Sequence, residues 1–193
     1  GMIVCNDKKE YDLIFKLRAH GWDRDINKKN NNNEFNFVNS GFNLRPLDLT
    51  AAIGYSQFKR LNTMKNNRAI NRSKIINSII ESDLWNNQFS FLESIKNLEP
   101  SWFGLPIILH EKFKKKKKEY LNKLNKSGIE TRPIISGNFL NQPSVKLYKL
   151  DQNKAKFKNA QDIEERGFFI GLQTDKISHE KVAYLTKNLL KHL

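Results

Sequence analysis

Cysteine occurs once in the 193 residues, at Cys5, so neither a disulfide framework nor a cysteine metal cluster can form within one chain. Long apolar runs are missing too, and none approaches the roughly 18 residues that a membrane-spanning helix needs. The first residues show no basic region leading into an apolar segment, so no secretory signal is expected and a cytoplasmic protein is. His110, His179 and His192 are scattered without the spacing of metal ligands. There is no Gly-x-Ser-x-Gly turn, Walker phosphate loop or Cys-x-x-Cys pair to point to those chemistries. Acidic residues are scarce against basic ones, 20 Asp and Glu to 34 Lys and Arg, for a formal net charge of +14.

That excess suits nucleic acid or an anionic membrane surface. Here, however, the lysines are spread along the chain among asparagines, the run Asn30 to Asn33 included. This is a bias of composition rather than a binding stripe. The one basic block, Lys114 to Lys118, opens the amphipathic stretch EYLNKLNKSGI and reads as a solvated face. Nucleic acid is an unfavoured partner, and a membrane is not expected. Hydrophobic residues at 38% and aromatics at 11% suffice for a packed core, with room for one ordinary domain or a domain plus an appendage.

Taken in order, Met2 to Cys5 reads as a short apolar strand. A helix follows, with Tyr11, Ile14, Phe15 and Leu17 on one face, ended by Gly21. His20 and Trp22 flank that glycine and form either a recognition corner or a helix stop with a packed indole. The Asn-rich stretch WDRDINKKNNNNEFNFVNS reads as a flexible loop ending in a strand-like piece. In GFNLRPLDLTAAIGYSQFKRL, residues 41–61, Pro46 sets the first helical turn and holds Arg45 extended. Leu47, Leu49, Ala51, Ala52, Ile53, Tyr55 and Phe58 occupy nearly every direction around that helix, so it should be buried on more than one face. A longer helix follows, capped by Asn62, with Met64, Ala69, Ile70, Ile75, Ile76, Ile79 and Ile80 mostly on one stripe and a basic first half.

From Asp83 the texture changes. Residues 89–92 and 101–109 read as strands, with Pro106 marking an edge or bulge in the second. A helix ended by Gly128, a third strand in IETRPII, a helix stopped at Gly167 and a short apolar strand come next. The last helix is capped by Ser178 and carries Val182, Leu185, Leu189 and Leu190 as its stripe. The expected class is α/β: a small, mostly antiparallel sheet with helices on one side, spanning 83–193, preceded by a largely helical segment, 1–82. Beyond Arg132, Gly137 can bring the backbone close to a ligand, and Asn138 and Gln142 offer donors and acceptors to hydroxyls. The plainer reading is a turn whose Asn satisfies its own backbone.

The stretch 41–61 resembles the Gly-(Tyr/Phe)-Asn-x-Arg-x-x-(Asp/Glu)-x-x-Ala-Ala-(Ile/Leu)-Gly-x-x-Gln signature of the DegT/StrS family, pyridoxal-phosphate enzymes acting on nucleotide-linked keto-sugars. PSWFGLPI, GIETRPIISGNFLNQP and GFFIGL resemble its branch of sugar 3-dehydrases and related aminotransferases of lipopolysaccharide and dideoxysugar synthesis. The family's iron-sulfur members carry loop cysteines that this chain lacks. The resemblance implies the C-terminal part of a fold-type I enzyme: 1–82 from the large domain and 83–193 as the small one. The Lys or His that reacts with the cofactor would lie before Gly1, so catalysis by this chain alone is not expected.

The resemblance also implies a homodimer through 41–61, in which Asn43 binds the phosphate of the partner's pyridoxal phosphate. Arg45 would sit near phosphate or sugar oxygens, and His20, Trp22, Arg132, Asn138 and Gln142 would serve the nucleotide-sugar substrate. The alternative is a non-catalytic remnant or interaction fragment of the same family.

Overall fold

The computed structural model describes residues 1–23, 36–148 and 153–193. The Asn-rich run 30–33, and most of the loop expected around it, lie outside the described residues. The chain divides into two compact units, Gly1–Lys59 and Arg60–Leu193.

The second unit holds the core. Its sheet has the order β1-β2-β4-β3, with β1 Phe89–Phe91, β2 Gly104–Leu109, β3 Thr131–Arg132 and β4 Gly167–Gly171, every pair antiparallel. Alternation in β2 sends Leu105, Ile107 and Leu109 to one buried face, where β4 adds Phe168 and Ile170. Helices cover that face: α3 Leu61–Ile80, α4 Lys117–Lys126 and α6 His179–Lys191 contribute Ile75, Ile79, Tyr120, Leu124, Leu189 and Leu190 to one core cluster. The Tyr120 ring meets Phe168 edge-on, and its hydroxyl donates to Leu189 O at 2.9 Å. Ser178 caps α6, its Oγ accepting from Lys181 N at 3.3 Å. Gly167 ends α5 (Lys158–Arg166) and begins β4.

Three details depart from expectation. Pro106 lies in a strand paired on both sides, not in an edge strand. Its pairing with β1 ends one residue later, at Phe91↔Ile107, so on that side Pro106 is locally an edge and the absent N–H costs no ladder bond there. Asn62 lies inside α3, which has no side-chain cap. The basic block is only partly a solvated face: Lys114 pairs with Glu165 at 2.6 Å, and Lys117 Nζ donates to Glu164 O at 2.7 Å. Burial pushes the Lys117 ammonium below its ordinary range, whereas the hydrogen bond to Glu165 raises that of Lys114.

The first unit has α1 Lys8–Arg18, capped by Asp7, whose Oδ1 accepts from Lys9 N and Glu10 N at 2.8 and 3.0 Å. Met2 to Val4 are exposed and belong to no strand, because no strand in the described residues pairs with them. Helix α2, Asp48–Phe58, has no buried residue: Leu49 is 71% and Phe58 70% exposed. Among the described residues of this unit none covers the helix, so the burial expected on more than one face is absent there.

Candidate functional site

In the first unit the residues after α1 are gripped by the arm before α2. Phe42 N donates to Leu17 O at 2.7 Å, His20 N to Phe42 O at 2.9 Å and Leu44 N to Arg18 O at 2.9 Å. Ala19 and Asn43 form an antiparallel bridge, and a second joins Trp22 to Phe37. The close approach requires Gly41, where a Cβ would lie 2.2 Å from Gly21 N and 2.8 Å from Leu17 O. His20 takes a positive φ of 63° to make the corner. The structure thus brings His20, Trp22, Asn43 and Arg45 to one corner, though not in one role. Trp22 is half-buried and stacks on Phe37 with ring centroids 5.9 Å apart, so its indole packs. Asn43 and Arg45 are exposed, presenting an amide and a guanidinium from a backbone fixed by hydrogen bonds. Such donors suit phosphate or carboxylate oxygens.

In the second unit a cavity of about 720 Å³ opens where the β3 edge, the end of β4, α3 and α6 meet. Arg132 lines it, held in a fork by Glu130, whose Oε1 accepts from Nη2 at 2.8 Å and Nε at 2.9 Å. Arg68, Phe103, Phe169 and Lys181 also line it. The two phenyl rings lie 5.9 Å apart, and the Arg68 guanidinium is 6.0 Å from the Phe103 ring. Below them, buried Asn71 donates to Gln173 O and Asp175 O at 3.1 and 2.7 Å and accepts from Ile177 N at 3.0 Å, fixing the loop between β4 and α6. Cations beside flat apolar walls can hold an anion with a planar body.

Asn138 and Gln142 are not among the residues lining this cavity. Asn138 is 2% exposed; its Oδ1 accepts from Leu140 N at 3.1 Å and its Nδ2 donates to Gln161 Oε1 at 3.0 Å. Glu164 accepts from Asn138 N at 2.9 Å and from Asn141 Nδ2 at 2.7 Å. Gly137, at φ 60°, presses on α5 rather than on open space, since a Cβ there would sit 2.5 Å from Glu164 Cβ. Gln142 is half-buried, and its backbone N donates to Phe139 O at 2.9 Å. Reading the sequence missed Arg68, Phe103, Phe169 and Lys181 as site residues. The basic first half of α3 and the Trp102-Phe103 pair before β2 were the available signals. Among the described residues no cluster of His, Cys, Asp or Glu could hold a metal ion, and no helix is long and apolar enough to cross a membrane.

A model of the DegT/DnrJ/EryC1/StrS aminotransferase family matches residues 1–190. The chain is 32% identical over 181 residues to GDP-4-keto-6-deoxy-D-mannose 3-dehydratase of Escherichia coli O55:H7, covering 89% of this chain and 45% of that protein. It is 30% identical to the protein of that name from Yersinia pseudotuberculosis, covering 89% and 44%. A solved structure of the E. coli enzyme with bound hydrated PLP superposes with a TM-score of 0.81 at 28% identity, over 96% of this chain and 49% of that one. The fold is therefore that of part of a fold-type I pyridoxal-phosphate enzyme, and the chain spans about half the length of these relatives.

Proposed function

Because the chain belongs to the DegT/DnrJ/EryC1/StrS aminotransferase family, we propose that it is the C-terminal portion of a pyridoxal-phosphate enzyme acting on a nucleotide-linked 4-keto-6-deoxy sugar. The reaction is a 3-dehydration or an amino transfer, carried out in the cytoplasm for cell-surface polysaccharide synthesis. Residues 1–82 derive from the large domain and 83–193 form the small one. The Lys or His that reacts with the cofactor belongs, in this reading, to the half of the family protein that the match does not cover.

Pyridoxal phosphate, when bound, supplies the electron sink. The residues present fit one end of it. Asn43 and Arg45, exposed on a backbone held by the Phe42 and Leu44 bonds, suit its phosphate. In a homodimer formed through 41–61 this arm serves the partner's cofactor. Arg132, pre-set by Glu130, and Arg68 take the phosphates of the nucleotide, and Phe103 with Phe169 supplies a flat wall for its base. His20 and Gln142 remain candidate contacts for the substrate. Trp22 shapes the corner through its stack on Phe37. Asn138 holds the turn beyond Arg132 instead of reaching the sugar, since its amide is engaged with Leu140 and Gln161.

The observation that supports this reading most is the cavity with Arg68, Arg132 and paired phenyl rings in a chain whose relatives bear the name of a GDP-sugar enzyme. Titrating GDP and following backbone NMR shifts tests it. Saturable binding with shifts at the cavity, weakened about tenfold or more by Arg132→Ala, is expected. Absence of binding at millimolar GDP, or an unchanged affinity in the variant, would overturn the assignment.

A further inference from the structure

Ile135 holds a conformation that its residue type avoids. Its φ is 47°, and among the described residues it is the one β-branched side chain with a positive φ. Bulk at Cβ makes that region costly. The same side chain is 88% exposed, the most exposed large apolar residue described in the second unit. No burial offsets the backbone strain. The turn is nonetheless held from both sides. Ile135 N donates to Pro133 O at 2.9 Å, and Gly137 N to Ile134 O at 3.0 Å. Ile134 is half-buried and packs at Gly167, where a Cβ would lie 2.9 Å from its Cδ1. Beyond Gly137, Gln161 Oε1 accepts from Asn138 Nδ2 and Asn141 Nδ2, both at 3.0 Å. Strain fixed by this many contacts marks a place where the strained residue has a use.

We propose that Ile135 recognises the C6 methyl group of a 6-deoxy sugar nucleotide and so selects against the 6-hydroxyl form. This rests on the nucleotide reading of the cavity given above. In that reading the base lies against Phe103 and Phe169, and Arg132 takes the phosphates. The sugar is bonded to the terminal phosphate, so it leaves Arg132 on the side away from the base. The turn begins at Arg132, and Ile135 stands three residues on, within about 10 Å of chain. A methyl group laid on Ile135 takes apolar surface of both out of water. A hydroxymethyl group in its place sets a hydroxyl against a side chain with neither donor nor acceptor. The Asn138 amide further along the turn is already engaged with Leu140 and Gln161. The selection therefore falls to the one side chain that the turn thrusts outward.

Calorimetric titration of the full chain with GDP, GDP-mannose and GDP-6-deoxymannose tests this, since the two sugar nucleotides differ by one oxygen at C6. The 6-deoxy compound is expected to bind at least about fivefold more tightly than GDP-mannose. It should also shift the Ile135 methyl NMR signals, which GDP alone leaves in place. Ile135→Asn removes the apolar contact and supplies a residue that accepts the left-handed conformation. In this variant the ratio of the two affinities should fall to about one, and unfolding should need more urea. A wild type that binds GDP without preferring the 6-deoxy sugar, or a variant that keeps the preference, overturns the proposal and leaves the nucleotide reading standing. A variant less stable than the wild type also overturns it, because Ile135 would then serve packing within the chain. Failure of GDP itself to bind overturns the nucleotide reading, and the proposal with it.

Discussion

In residues 60–193 apolar side chains face one another: Leu105, Ile107 and Phe168 from the sheet meet Ile75, Ile79, Tyr120 and Leu189 from three helices. In residues 1–59 the same kinds of side chain face water, from Leu47 through Phe58. Each buried Leu, Ile or Phe contributes about 1.5–3 kcal/mol that an exposed one does not. The second unit therefore carries its own folding free energy. The first is held mainly by backbone hydrogen bonds between residues 17–23 and 36–44, each worth only about 0.5–1.5 kcal/mol net. The first unit thus has its shape set by hydrogen bonds while the apolar surface of α2 is exposed. That division also separates the candidate residues: Arg132 stands at a sheet edge of the second unit, whereas Asn43 and Arg45 stand exposed on an arm of the first.

The sharpest way to break this comparison is to make the same cut in both units. Leu105→Ala removes a fully buried side chain from the strand between β1 and β4, and should lower the stability to denaturant by about 2–5 kcal/mol. Leu49→Ala in α2 should change it by less than about 0.5 kcal/mol. Comparable losses in urea titrations would mean that α2 is already covered within the chain.

A smaller effect is expected at Asn71, which carries three hydrogen bonds to the loop 173–177 and is 1% exposed. Asn71→Leu keeps the volume but strands two carbonyls and an N–H, and should cost about 1–3 kcal/mol. It should also weaken GDP binding, since Asn71 and Gln173 line the Arg132 cavity. A variant as stable as the wild type would show that the loop is held by packing alone.

Much of this was legible because the signals are local. Ser178, Gly128 and Gly167 stop or start helices where they stand, and the short apolar runs within 101–109 and after Gly167 announce strands. Pro106 misled, because the edge it requires belongs to the place where β1 runs out rather than to a whole strand. The close approach at Gly137 was expected toward a ligand, whereas within the chain its backbone packs against Glu164 on α5. Asn71 and Arg68 were not legible. An Asn or Arg in a helix gains its meaning from what lies across from it, and Asn71 reaches Ile177, 106 residues away. For α2 the apolar composition led to an expectation of burial, and among the described residues the helix is exposed.

Native-state hydrogen exchange on the isolated chain, at a concentration where sedimentation finds it monomeric, tests the central claim most directly. Amides of β2, β4 and the buried turns of α3 should exchange only through global unfolding of the second unit. Amides of α2 should exchange through local opening, orders of magnitude faster. If residues 48–58 of the monomer are protected as strongly as β4, the first unit is self-sufficient and the account is contradicted.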